Sequence, residues 1–204
     1  MITRRELKEN SKQQLKGKWG VAIGTCFVYS LLSSLSIVYE FEISPSIYVT
    51  LNIILLLISG ALAVGINRFM ITLVKREEEP RFIQLFSGFS DVFLKSLGLL
   101  LLFSLIIIIG SILLVIPGII AAFMYSQSFY ILADNPDMSV VECLRKSREM
   151  MVGYKFDYLV LQLSFLGWGI LCIFTFGIGL LWLMPYMEAT LANYYLELKS
   201  ENNL

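Results

Sequence analysis

The chain has no histidine, and only three cysteines and five prolines in 204 residues. Without imidazole it lacks the commonest acid–base group and the commonest metal ligand. That argues against Ser–His dyads, His-based phosphatase chemistry and His-ligated metal centres. No Gly-rich phosphate loop of the Walker type is present, nor a paired-aspartate motif suited to phosphoalcohol transfer. Cys26 and Cys172 fall in apolar runs and Cys143 in a charged segment, so no structural disulfide is expected. Charge is scarce too: 16 % of residues are charged and the formal net charge is +0. These absences point to no enzyme, no cofactor, no metal and no nucleic-acid partner.

What is abundant is apolar sequence, at 57 % of residues. It falls into six runs, at about 19–39, 47–74, 93–116, 117–133, 158–176 and 177–198. Runs of about 20 residues match a hydrocarbon core of about 30 Å at about 1.5 Å per residue. The expected fold class is therefore all-α: a polytopic six-span helical bundle with cytoplasmic amphipathic helices. It consists of one membrane domain over 19–204, preceded by a basic segment over 1–18. The continuous block from Phe93 to Ala133 is too long for one crossing and must fold back, with Pro117-Gly118 the natural place. The Gly177-Ile178-Gly179 sequence suits a second tight turn.

In this topology every Lys and Arg lies on one side. They precede the first run (Arg4, Arg5, Lys8, Lys12, Lys16, Lys18), follow the second (Lys75, Arg76, Arg81, Lys95), follow the fourth (Arg145, Lys146, Arg148, Lys155) and follow the sixth (Lys199), with Arg68 near the end of the second. Glu40 and Glu42 fall on the other side. Positive-inside bias then makes this a multi-pass cell-membrane protein with both termini cytoplasmic.

The first eighteen residues carry Leu7 and Leu15 two helical turns apart, the pattern of a helix lying on the cytoplasmic face. Ser139 and Glu142 have capping-box spacing and open a second amphipathic helix that Gly153 can end. Lys12, Lys16, Lys18, Arg145, Lys146 and Arg148 form a candidate basic surface for the anionic headgroups of the bilayer. Gly20/Gly24 and Ala61/Gly65 are small-xxx-small pairs that suit packing within the bundle, or association with a membrane-protein partner or a second copy. The spaced Phe82, Phe86, Phe89 and Phe93 suggest a segment skimming the interface.

One acidic residue, Glu188, sits about eleven residues into the last run, which would place it near the bilayer midplane. Ionisable groups there cost at least about 2.5 kcal/mol and face the bundle interior. Pro185 removes a backbone donor one turn earlier. Glu188, Pro185, Arg68, Gln127, Tyr130 and Asn193 form the candidate intramembrane polar site. A structural role, with the carboxyl hydrogen-bonded or paired with Arg68, is favoured over a proton- or substrate-sensing one.

Several stretches resemble a bacterial integral-membrane family known as domain of unknown function 975: Glu6-Leu7-Lys8, Leu15-Lys16-Gly17 with Trp19, Ile116-Pro117-Gly118-Ile119-Ile120, Tyr130-Ile131-Leu132-Ala133-Asp134-Asn135-Pro136, Leu163 to Trp168, and Gly177 to Trp182 with Pro185-Tyr186. The resemblance implies a multi-span protein of mostly Gram-positive bacteria and brings no activity or site. The chain also looks distantly like the membrane region of some glycerophosphodiester phosphodiesterases, without their catalytic domain. The leading expectation is a non-enzymatic membrane protein acting through lipid or protein contacts. The alternative is a small transporter, or a subunit of one, using Glu188.

Overall fold

The computed structural model describes residues 3–34, 45–90 and 92–202, and among these there is no strand. Nine α-helices follow in order: α1 (Arg4–Gln14), α2 (Trp19–Ser34), α3 (Pro45–Lys75), α4 (Phe93–Leu113), α5 (Val115–Met124), α6 (Ser128–Asp134), α7 (Val140–Met150), α8 (Lys155–Phe174) and α9 (Leu180–Glu201), with a 3-10 segment, Phe82–Phe89, between α3 and α4. Among the described residues four stretches are long and apolar enough to cross a membrane: Val49–Lys75, Phe93–Ile112, Val115–Asp134 and Lys155–Phe174. That is fewer than the six expected. The helix α2 is shorter, at 16 residues, and α9 carries Glu188, Glu197 and Glu201 among its 22. Most of the expected loop Glu40–Ser46 and the end of the first run lie outside the described residues.

Local chemistry explains most boundaries. Thr3 Oγ1 accepts from the Glu6 amide at 3.3 Å while Glu6 Oε2 accepts from the Thr3 amide at 2.7 Å, a reciprocal cap on α1. Ser139 Oγ accepts from the Glu142 amide at 3.3 Å and opens α7. Pro45 starts α3, where its missing N–H costs nothing. The fold-back after α4 comes at Leu114 (φ −166, ψ 148), three residues before the expected Pro117. Pro117 instead sits in the first turn of α5, a position that tolerates it. The return run is also not one helix: it breaks between Met124 and Ser128 into α5 and α6.

The tightest packing is backbone to backbone. A Cβ at Gly65 would stand 1.8 Å from the Leu85 carbonyl oxygen, and one at Gly88 2.1 Å from that of Ala61. The Ala61/Gly65 pair thus seats the 3-10 segment rather than another helix. Gly20 and Gly24 meet nothing within 4 Å, so that pair serves no packing within the described chain. Leu7 of α1 and Leu15 at its C-cap belong to the same buried core as Phe69, Leu132, Met150, Leu161 and Tyr194. The apolar residues of α4, α5, the second half of α8 and the start of α9 are largely exposed. The molecule has a well-packed end and an apolar, uncovered end.

Candidate functional site

The helix α9 positions the residues of the candidate site, packing against α1, α2, α3 and α8. Pro185 is buried and Glu188, one turn on, is half-buried. The titratable groups within electrostatic range of Glu188 are Cys26 and Tyr29 of α2, Tyr130 of α6 and Tyr158 of α8. It faces the interior among weak acids. Among the described residues no cation and no hydrogen-bond donor pairs with its carboxyl.

The other expected members are dispersed. Arg68 does not turn to Glu188: its Nε donates to the Ala133 carbonyl at 3.2 Å. Tyr130 stacks on Tyr195, ring centroids 5.4 Å apart. Gln127 is buried between α5 and α6. Its amide donates to Ser147 Oγ at 3.1 Å and its Nε2 to Ser126 Oγ at 2.8 Å. Gln127 Oε1 and Ser128 Oγ are buried without a partner among the described residues.

Asn193 joins a different group. Its Nδ2 reaches Gln14 Oε1 at 2.6 Å and Ser11 Oγ at 2.9 Å, while Gln14 Nε2 donates back to Asn193 Oδ1 at 3.1 Å and to the Val74 carbonyl at 3.0 Å. This reciprocal amide pair ties α1 to α9 and to the end of α3. Nearer the start of α1, Lys8 Nζ donates to the Ser164 carbonyl at 3.3 Å and lies 4.1 Å from the centre of the Phe165 ring.

Sequence reasoning missed Asp134, which entered there only within the stretch Tyr130 to Pro136. Its side chain is 8 % exposed and takes Lys75 at 2.9 Å and Lys199 on opposite oxygens. Tyr195 donates to it as well, at 3.1 Å. One carboxylate thus fastens the ends of α3, α6 and α9. No local pattern signals it, because its partners lie 59 to 65 residues away.

Of the expected basic surface, Lys12, Lys16, Arg145 and Arg148 are exposed, and Lys18 and Lys146 half-buried. The apolar faces of α1 and α7 are buried through Leu7, Cys143, Leu144 and Met150. All three tryptophans line one groove of about 410 Å³ between the α1–α2 corner and the α8–α9 hairpin, with Lys12 and Tyr186 beside them. Within the described residues no group of three metal-ligating side chains converges.

No curated protein and no solved structure matches the chain, so the likeness to glycerophosphodiester phosphodiesterases finds no support there. A family match does cover it, over residues 1–117 and 104–202. With almost every residue inside that match, the chain belongs to the family described as protein of unknown function (DUF975).

Proposed function

We propose that this chain is a non-enzymatic integral protein of the cytoplasmic membrane that acts through lipid or protein contacts at its basic face. Six segments enter the membrane as three hairpins, and both termini are cytoplasmic. The observation that carries the reading is the docking of α1 and α7. Each buries its apolar face in the protein and leaves Lys12 and Lys16, or Arg145 and Arg148, exposed. Cations held out from a rigid base suit the anionic cytoplasmic leaflet, where each contributes about 1 kcal/mol to surface attraction. The test is co-flotation of the whole protein in nanodiscs with phosphatidylglycerol vesicles. Reversing charge at Lys12, Lys16, Arg145 and Arg148 should abolish the salt-sensitive part of that association. Association indifferent to anionic lipid and salt rules the reading out. Reporter fusions after Leu198 should read cytoplasmic and those at Ser46 external.

A transporter reading draws on one feature, the carboxyl of Glu188 facing Tyr29, Tyr130 and Tyr158 with no cationic partner among the described residues. A group of that kind can exchange a proton when its surroundings change. Under this reading Glu188→Gln folds normally and loses a pH-dependent flux in proteoliposomes. A flux that survives the substitution removes it.

A further inference from the structure

The α4–α5 and α8–α9 hairpins have the length to cross a bilayer, yet charged helices lie across their bases. Lys8 of α1 sits on Ser164 and Phe165, halfway along α8. From Ser164 to the end of α8 only ten residues remain, about 15 Å at the helical rise. Likewise α7 seats Ser147 on Met124 and Gln127, at the base of α5: Ser147 Oγ donates to the Met124 carbonyl at 3.0 Å and accepts from the Gln127 amide at 3.1 Å. Beyond that level α5 has ten residues, again about 15 Å. Arg4, Arg5 and Lys12 on α1, and Arg145, Arg148 and Glu149 on α7, are exposed. A hairpin crossing the whole core of about 30 Å would carry these charges toward the midplane, where they have neither water nor partners. With α1 and α7 at the inner headgroups, the hairpin tips come to the middle of the bilayer.

The tips are built for that depth. Phe174 and Phe176 are 78 % and 98 % exposed, and Ile112 at the other tip is 79 % exposed. The backbone of the α8–α9 tip closes on itself. Phe176 N donates to Ile173 O at 3.0 Å and Gly177 N to Cys172 O at 2.9 Å, the paired bonds of a Schellman motif. Gly179 N, which has no carbonyl to meet, donates to Thr175 Oγ1 at 3.1 Å. Every N–H from Thr175 to Leu183 is bonded within the hairpin, and Phe176 accepts a left-handed φ of 52° to complete the set. Such closure is needed in hydrocarbon and gains little at a wet surface. The α2–α3 hairpin differs. Leu180 and Leu181 begin α9 beside Ile23 to Ser30, partway along α2. Beyond that level α2 runs on to Ser34, and α3 continues past Asn52, which lines one pocket with Leu32 and Ser33, to Pro45.

We infer that only the α2–α3 hairpin crosses the membrane, and that the α4–α5 and α8–α9 hairpins are re-entrant wedges whose apolar tips take the acyl chains of the cytoplasmic leaflet as their partner. This rests on the cytoplasmic placement of the basic face proposed above, and it moves Glu188 from the midplane to the inner interface.

The test uses single cysteines at Ser46, Leu114 and Phe176 in the full chain, whose own three thiols are buried and give the blank. In intact cells a membrane-impermeant maleimide should label S46C and leave L114C and F176C untouched. In proteoliposomes, bimane on L114C or F176C should be quenched most by nitroxides deep in the acyl chain. Tip cysteines labelled from outside, or quenched best at the headgroup, overturn the wedges and leave the orientation standing. Failure of S46C to label from outside removes the orientation, and the wedges with it.

Discussion

Gly65 and Leu85 meet with no side chain between them: the α3 backbone at Gly65 rests on the carbonyl of Leu85, so closely that an added Cβ would fall 1.8 Å from its oxygen. The neighbouring atom is backbone, which cannot swing aside. Gly65→Ala should therefore cost about 3 kcal/mol or more, the upper range for overpacking. Gly24→Ala, which meets nothing within 4 Å, should be neutral or slightly stabilising through helix propensity. Thermal unfolding of the two variants in one detergent makes the comparison.

Asp134 is the second place where one change reaches far. Asp134→Asn leaves Lys75 and Lys199 facing each other without a counter-ion. Both lysines are about a third exposed, so solvent moderates the loss, and we expect about 1–3 kcal/mol. Part of that difference should shrink in high salt as the lysines' repulsion is screened. A wild-type-like midpoint at low salt would show that the three helix ends are held otherwise.

The amide pair Gln14–Asn193 makes a prediction about α1 alone. Asn193→Leu strands the Gln14 and Ser11 groups that bond it, a loss of about 1–3 kcal/mol. Because α1 also depends on Leu7 and Leu15, the bundle should stay folded while α1 becomes cleavable by trypsin at Lys12 and Lys16. The double variant Gln14→Leu, Asn193→Leu should recover part of the protection, since neither amide is then left alone.

Cys143, on α7 outside the stretches long and apolar enough to cross a membrane, has its thiol pushed up from 9.0 to about 11, chiefly by burial, with Glu142 adding to the rise. The folded state thus holds the proton more tightly than the unfolded chain. Stability is unaffected below about pH 9 and falls as pH rises from about 9 to about 11, because there the unfolded state has lost a proton that the folded state keeps. At pH 8 Cys143 should alkylate only as fast as the protein opens. Mass-spectrometric labelling against denaturant gives the rate, and fast labelling of the native protein would contradict the burial.

Glu188 changes its expected behaviour once its surroundings are known. From sequence, Glu188→Leu ought to strand a polar partner. Among the described residues the carboxyl has no donor, so the apolar residue should raise stability by about 1 kcal/mol by removing an uncompensated polar group, and Glu188→Gln should change it little. A fall in the melting midpoint of Glu188→Leu would reveal a partner.

Much of the architecture was legible in the sequence because it is written locally. The cap at Ser139, the turn at Gly177–Gly179 and the apolar runs depend on residues a few positions apart. The break at Leu114 was not, because Pro117 fits within a first turn and the actual crossing is set by Gly110 and Gly118, whose backbones nearly touch. The candidate site was legible as a set of polar residues and not as an arrangement. Arg68, Gln127 and Asn193 each take a partner far along the chain, and only the packed fold decides which. Reading α1 as a surface helix found its leucines but not Ser11 and Gln14, whose amphipathic position gives no hint that they are plugged into α9.

The place of α9 among its neighbours has a consequence for the order of events during synthesis. It is translated after α1 through α8, yet it supplies Asn193 to α1 and Lys199 to Asp134. Until it emerges, Gln14 has only the Val74 carbonyl and Asp134 only Lys75 of the partners they keep in the fold. The final helix therefore works as a keystone: earlier hairpins can form one by one, but the compact end completes its bonds only once α9 joins them.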